Sequence, residues 1–213
     1  GTFTNNGTFT AGTFEVTGGK FANSGTLNTE TFSLSAPIGT EFGGQITASE
    51  SITIFLTGYA NRIGDDLVLD TPHLVLDDKD SASQAGIIFS NQAQVDNIDE
   101  ITVISDGLKT GVIVDDNASL TFKTVNLVHQ AEDQAARVEV YSGGKVTIEN
   151  LNVSGTKGLV QTNASASATI NNIVVGEGSV LNLQTNTAGG TEANYGTFTL
   201  SNVYVEKDGN FRI

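Results

Sequence analysis

The stretch that decides the fold is residues 1–36, which read GTFTNNGTFTAGTFEVTGGKFANSGTLNTETFSLSA. A shift of eighteen residues lays this stretch on itself, and it matches Phe3 with Phe21, Phe9 with Leu27 and Phe14 with Phe32. The same shift matches Asn5 with Asn23 and Gly7 with Gly25. The opening of the chain is therefore an internal repeat, and repeats of this length indicate units that stack on copies of themselves.

The composition limits the classes of protein to which the chain can belong. Its 213 residues are 38% hydrophobic, which is enough for a sizeable core, and they include no Cys. Disulfides, thiol catalysis and zinc fingers are therefore excluded. The net charge of −14 repels phosphate backbones and anionic lipid headgroups, so we expect no nucleic-acid partner.

Targeting and membrane segments are also missing from the sequence. No run of eighteen apolar residues is present, so we expect no direct membrane insertion of these residues. The first thirty residues lack the basic start and apolar block of a signal peptide. Met is absent even at position 1, and we interpret the chain as a fragment of a longer one.

Short β-branched runs alternate with glycine-rich turns along most of the chain. Examples are SITIFLT from Ser51, HLVLD from His73 and GVIVD from Gly111. No window of a dozen residues carries a sustained helical apolar stripe. The chain is predicted to be all-β.

A second repeat covers the C-terminal part of the chain. Its copies are LTFKTVNLV from Leu120, VTIENLNVS from Val146, ATINNIVVG from Ala168 and FTLSNVYVE from Phe198, and their starts are 26, 22 and 30 residues apart. The alignment superposes Thr121, Thr147, Thr169 and Thr199, and it superposes Asn150, Asn172 and Asn202. We interpret each copy as two strands with a corner between them, followed by a third strand from Arg137, Gly158, Ser179 or Asn210.

Units of 18 to 30 residues with three short strands cannot bury their apolar side alone, so they must stack. The predicted fold is a right-handed parallel β-helix (β-solenoid) with three short strands per coil and extruded loops, and a single β-solenoid spans residues 1–213. Regular 18-residue coils are expected at 1–36, irregular acidic coils at 37–116, and coils of 22–30 residues at 117–213. Aligned apolar residues are expected inside, with Asn ladders within the turns and a positive φ at Gly7 and Gly25.

Three segments depart from the repeat without a packing reason. They are the acidic stretch 61–84, HQAEDQAA at 129–136 and QTNTAGGTEANYG at 184–196. Ligand contacts on a rigid scaffold concentrate in such loops. Shortening 184–196 to a tight turn is therefore expected to preserve the fold and to reduce binding.

The pattern apolar-x-Asn-x-Gly-x-apolar occurs twice, as FTNNGTF from Phe3 and FANSGTL from Phe21. This pattern resembles the passenger regions of bacterial autotransporters and the two-partner-secretion exoproteins, such as filamentous haemagglutinin-like adhesins. The resemblance covers residues 1–36 well and 117–213 loosely. It implies a right-handed β-helix exported through the outer membrane of a Gram-negative bacterium and then secreted or displayed on the cell surface. It also implies adhesion to a host cell-surface protein or glycan, or self-association between copies.

The residues that carry chemistry give a less specific indication of function. His73 and His129 are the only histidines, and neither lies in a nucleophile motif, so each is expected to face solvent or to cap a corner. The alternative to an adhesin is a polysaccharide-active enzyme, either a lyase or a glycosidase, because many of these place acids and bases on one outer face of a β-helix. Adjacent acids occur at 65–66, 77–78 and 115–116, and the arginines are Arg62, Arg137 and Arg212. Neighbours in a strand point to opposite faces, so we expect no catalytic and no cofactor-binding residues.

One acidic loop has the ligands that calcium prefers. DDKDSAS from Asp77 brings Asp77, Asp78 and Asp80 together, and clustered carboxylate oxygens are what Ca²⁺ requires. The spacing lacks the glycine and the terminal Glu of an EF-hand loop, so a solvated acidic loop is the competing interpretation. These three residues are the candidate calcium ligands.

Overall fold

The computed structural model describes residues 1–35, 41–42, 44–56, 59–63, 67–78, 85–95, 97–105, 110–130, 135–186 and 195–213. Every regular element in these ranges is a β-strand, and none is a helix, as the β-branched runs predict. The strands of the first half are β1 (Thr2–Asn5), β2 (Thr8–Thr10), β3 (Thr13–Val16), β4 (Lys20–Asn23), β5 (Thr26–Leu34), β6 (Glu41–Phe42), β7 (Gly44–Phe55), β8 (Tyr59–Ile63), β9 (Leu67–Asp70), β10 (His73–Asp77) and β11 (Ala85–Phe89). Those of the second half are β12 (Glu100–Ser105), β13 (Thr110–Val114), β14 (Ser119–His129), β15 (Ala136–Val140), β16 (Lys145–Gly155), β17 (Lys157–Thr162), β18 (Ser167–Val175), β19 (Val180–Thr185), β20 (Thr197–Val205) and β21 (Asn210–Arg212).

The strands form three parallel sheets. Sheet A has the order β1-β4-β6, and sheet C has the order β8-β11-β13-β15-β17-β19-β21. Sheet B is the longest, with the path β2-β5-β7-β10-β12-β14-β16-β18-β20, and β3 and β9 pair with β5 and β7. The chain passes from one sheet to another, and each strand pairs with its equivalent one coil away. The fold is therefore a parallel β-solenoid.

The first two coils have the register that the repeat predicts. Phe3 pairs with Phe21, Phe9 with Leu27 and Phe14 with Phe32, all in parallel ladders. The rings of Phe3 and Phe21 stack with centroids 5.7 Å apart, and those of Phe14 and Phe32 stack at 6.0 Å. All three predicted pairs are confirmed.

Two apolar columns run through sheet B from its first coil to its last. One consists of Phe14, Phe32, Ile52, Leu74, Ile101, Val125, Leu151, Ile173 and Val203. The other consists of Val16, Leu34, Ile54, Leu76, Val103, Leu127, Val153, Val175 and Val205. Between the two ends every member is at most 2% exposed, and burying each such side chain contributes about 1.5–3 kcal/mol. These columns also pass through residues 37–116, where the sequence repeat is least regular.

The C-terminal repeat has a simpler strand structure than the sequence suggests. The third strands are confirmed as β15, β17, β19 and β21. The two strands and corner expected in each copy are wrong, because β14, β16, β18 and β20 each run continuously through the expected corner. β14 bends between Phe122 and Val125, which both point inward although they are three residues apart. The alternation of inward and outward side chains therefore shifts by one residue at this point, while the pairing of β14 with β16 continues.

The corners use glycine and left-handed residues in different ways. The positive φ expected at Gly7 and Gly25 is wrong, since neither residue adopts it. A Cβ on Gly25 would instead collide with the backbone of Gly7 one coil away, so close approach of the coils requires the glycine. Left-handed φ values occur at stacked corners of later coils, at Asn117 (56°) and Gly143 (72°).

Candidate functional site

Two of the three candidate calcium ligands, Asp77 and Asp78, lie in the described part of the chain, and they differ in exposure. Asp77 ends β10 half-exposed, whereas Asp78 is 3% exposed and its Oδ2 accepts a hydrogen bond of 3.3 Å from the Ser105 hydroxyl. Asp80 lies outside the described residues. In the described part of the chain, no three His, Asp or Glu side chains are grouped so that they would hold a metal ion. Calcium binding therefore stays a prediction.

The two histidines occupy different environments. His73 is exposed, and its Nδ1 lies 3.8 Å from Glu100 Oε1 on the neighbouring strand β12. His129 is fully buried at the end of β14, with Nδ1 2.6 Å from the Thr156 hydroxyl of the next coil. His73 faces solvent, which is the first of the two positions expected for the histidines. His129 does not face solvent, but it lies at a corner, which is the second expected position.

The described members of the other acid pairs and the arginines lie in different parts of the solenoid. Asp115 is half-exposed and Asp116 exposed in the turn after β13, while residues 65–66 lie outside the described part. Arg62 belongs to β8 and Arg212 to β21, where Arg212 is exposed. Of the arginines whose side chains the structure describes, Arg137 lies in a cluster of polar side chains, on the outer face of sheet C.

The Asn ladders occur in two settings. Asn5 and Asn23 are buried, and Asn5 Nδ2 donates to Asn23 Oδ1 at 2.8 Å inside the turn, as expected. Asn150, Asn172 and Asn202 are in register, with amide hydrogen bonds of 3.1 and 3.0 Å between successive coils. The equivalence of these positions is confirmed, but their placement inside a turn is wrong, because Asn172 and Asn202 are exposed on the outer face of sheet B.

The outer face of sheet C carries a buried ion pair. Arg137 and Glu139 lie two residues apart on β15, so both point away from the core that contains Val138. Arg137 Nη1 lies 2.7 Å from Glu139 Oε2, and the two side chains are only 5% and 11% exposed. The carboxylate neutralises the guanidinium, which satisfies the first requirement for burying either charge.

A glycine on the neighbouring strand β13 makes room for Arg137. Gly111 precedes Arg137 in sheet C, and a Cβ at Gly111 would meet the Arg137 backbone and its Cγ. Within the described residues, the buried Arg137 Nε has no hydrogen-bond partner. The pair is thus closely packed and retains one unused donor.

Two amide side chains extend the ion pair along the sheet. Gln161 Nε2 donates to Glu139 Oε1 at 3.2 Å and to Asn163 Oδ1 at 3.2 Å, and Asn163 Nδ2 lies 3.4 Å from the same carboxylate oxygen. Gln184 follows Gln161 in the register of β17 and β19, and it is exposed. We call Arg137, Glu139, Gln161, Asn163 and Gln184 the polar row. It leads from a buried charge pair to solvent.

The third strands of the C-terminal repeat carry a sequence signal for the polar row. Glu139, Gln161 and Gln184 occupy the same position in three successive third strands, read as RVEV, GLVQ and VLNLQ. Alternation in such strands predicts solvated side chains at these positions. The burial of Arg137 and Glu139 depends on tertiary packing over the sheet, which periodicity does not report.

The extruded loops fall largely outside the described residues. Residues 131–134 of the segment 129–136 and residues 187–194 of the segment 184–196 lie there, as do 64–66 and 79–84 of the acidic stretch. The flanking strands keep register, since β15 pairs with β13 and β17, and β20 pairs with β18. The expectation that these loops bind a partner stays a prediction.

Comparison with known proteins adds no relative. No family model, no curated protein and no solved structure matches the chain. Among the described residues, no helix is long and apolar enough to cross a membrane.

Proposed function

We propose that this chain is the binding part of a bacterial adhesin of the right-handed β-helix type, secreted by or displayed on a Gram-negative cell. In this proposal the polar row contacts a host cell-surface glycan or protein. The observation that carries it is the row itself, in which amide, carboxylate and guanidinium groups follow one another across three coils of sheet C. At the buried end Gln161 and Asn163 are held by the Glu139 carboxylate, and at the exposed end Gln184 continues the row in register with Gln161.

The chemistry of the row suits a ligand rich in hydroxyl or amide groups. Each Gln or Asn amide offers donors and an acceptor in one plane, and the pattern complements sugar hydroxyls or a peptide backbone. Arg137 is neutralised by Glu139, and the chain carries a net charge of −14, so an acidic glycan would be repelled. A neutral or basic ligand fits best.

Exchanging a single exposed glutamine tests the proposal. Gln184→Ala removes the solvent end of the row, and one lost hydrogen bond of about 0.5–1.5 kcal/mol weakens binding roughly two- to ten-fold. Gln45→Ala is the matched control, because Gln45 is also an exposed strand residue but lies on sheet B. Adhesion to host cells and binding to glycan arrays would be measured at equal folding by circular dichroism. Equal binding of both variants would exclude the row as the contact.

A polysaccharide-active enzyme is the second candidate. The specific observation in its favour is the Glu139 carboxylate beside Arg137 on the outer face of a parallel sheet, where a general acid or base of such an enzyme would stand. Release of new sugar ends or unsaturated products from neutral and acidic polysaccharides, lost in Glu139→Gln, would support it. Binding without turnover would favour the adhesin.

A further inference from the structure

The outer face of sheet B carries a second set of ordered amides, away from the polar row. Asn126 and Asn152 follow one another in one column of β14 and β16, and Asn150 and Asn172 follow one another in a neighbouring column of β16 and β18. The columns are two residues apart along a strand, which is about 6.6 Å, and successive coils are about 4.8 Å apart. We call the following six residues the amide face: these four asparagines, and Val174 and Tyr204, which continue the column of Asn152 in register.

Hydrogen bonds between coils hold these amides in place. Asn152 Nδ2 donates to Asn126 Oδ1 at 2.9 Å, and Asn126 Nδ2 donates to the Thr102 hydroxyl at 3.2 Å. In the other column, Asn172 Nδ2 donates to Asn150 Oδ1 at 3.1 Å. An amide oxygen has two lone pairs, so the oxygens of Asn126 and Asn150 each keep a second one after accepting these bonds. All four asparagines are at least half-exposed, and the amide face therefore presents fixed polar groups to solvent.

The amide face is uncharged, although the chain as a whole is strongly acidic. From β14 to β20 neither of the two columns contains an Asp, Glu, Lys or Arg side chain, whereas the chain carries a net charge of −14. Lys123 lies beside the columns at the bend of β14, and its amine is paired with Asp99 at 2.6 Å. Anions are repelled by the net charge of the chain, and the face has no carboxylate of its own to attract a cation. These charges favour a neutral ligand.

A neutral polysaccharide with an extended, β-linked backbone matches this arrangement. In such a chain the hydroxyl groups project from both edges, and the faces of the sugar rings are apolar. Amides in two parallel columns can exchange hydrogen bonds with the hydroxyls of both edges at once. The Tyr204 ring offers an apolar surface on which the face of a sugar can pack. One sugar unit is about as long as the spacing between coils, so each further coil can contact a further sugar.

We propose that the amide face binds a neutral, extended polysaccharide that runs along the stacking direction of the coils. β14, β16 and β18 each contribute at least one asparagine to the face, so a ligand of three sugar units contacts three successive coils in the same way. This site lies on sheet B, whereas the polar row lies on sheet C. Either site can therefore fail in experiment without the other.

Calorimetric titration of the full 213-residue chain with soluble oligosaccharides tests the proposal. The probes are cello-, xylo-, manno- and chito-oligosaccharides of increasing length, with oligogalacturonates as the acidic comparison. The affinity for at least one neutral series is expected to rise with each sugar added up to three, because each sugar contacts a further coil. It should not change with salt concentration, since no ion pair forms. Binding of the acidic series alone, equal affinity for one sugar and for three, or no binding of any neutral series would each overturn the proposal.

Single substitutions then locate the bound sugar. Asn172→Ala removes an exposed amide and Tyr204→Ala removes the ring, and each should weaken oligosaccharide binding roughly two- to ten-fold at equal folding by circular dichroism. Asn28→Ala is the matched control, because Asn28 is also an outward asparagine of sheet B but lies on β5, outside the amide face. Gln184→Ala, at the exposed end of the polar row, should leave the affinity unchanged. Weaker binding in Gln184→Ala together with native affinity in Asn172→Ala and Tyr204→Ala would assign the sugar to the polar row and overturn the proposal.

Discussion

Removing one partner of the ion pair in the polar row is expected to destabilise the protein more than removing both. In Glu139→Ala the Arg137 guanidinium stays in place with its side chain 5% exposed and without the carboxylate 2.7 Å away. Breaking a buried pair in this way costs about 3–5 kcal/mol, since the remaining charge is neither solvated nor neutralised. Gln161 and Asn163 lose the Glu139 Oε1 acceptor in the same variant.

The paired replacement isolates the charge effect. Arg137→Met with Glu139→Leu keeps similar volume and removes both charges, and we expect a free energy of unfolding that is unchanged or higher than in the native protein. Urea unfolding followed by circular dichroism would measure Glu139→Ala, and it would measure the native protein, Arg137→Met, Glu139→Leu and the double variant as a cycle. A cost below about 1 kcal/mol for Glu139→Ala would refute the reasoning, because it would show that water reaches Arg137.

Three further outcomes follow from other parts of the solenoid. Phe21→Ala, at a position with no exposed surface between two coils, is expected to lower the free energy of unfolding by about 3–5 kcal/mol in the same urea assay. The pKa of Asp99 is lowered by a hydrogen bond from Lys123 and by its charge, so Lys123→Gln should raise that pKa in an NMR titration; the stabilisation is present above the ordinary pKa and is lost as the pH falls through the lowered one. Gly155→Ala should lower the melting temperature, because Gly155 has φ +82° and a Cβ there would collide with the carbonyl of His129.

Within the repeats at 1–36 and 117–213, the sequence is sufficient to predict the register, because register depends on repetition. Phe3 and Phe21, or Thr121 and Thr147, align by simple counting, and stacking places aligned residues in one column. The continuous, bent form of β14 is harder to predict from the sequence. Whether the strand is interrupted at Lys123 or only shifts its alternation there depends on the hydrogen bonds to neighbouring strands.

The polar row could be predicted only in part. The alignment of Glu139, Gln161 and Gln184 is visible in the sequence, but their change from buried to exposed is not. A strand pattern assigns each residue to a face, and both faces of sheet C look alike to periodicity when packing covers part of the outer one. The burial of Arg137 therefore cannot be predicted from the sequence pattern.

The parallel ladder also determines how the protein would respond to force. Its backbone hydrogen bonds lie along the direction of stacking, so tension applied between the two ends loads the bonds of one coil at a time rather than all of them in shear. A coil such as the one from Asn150 to Asn172 contains 22 residues, and as an extended chain it would reach roughly 70–80 Å. Peeling of single coils would thus lengthen the molecule in discrete steps, and the coils that remained stacked would keep their shape.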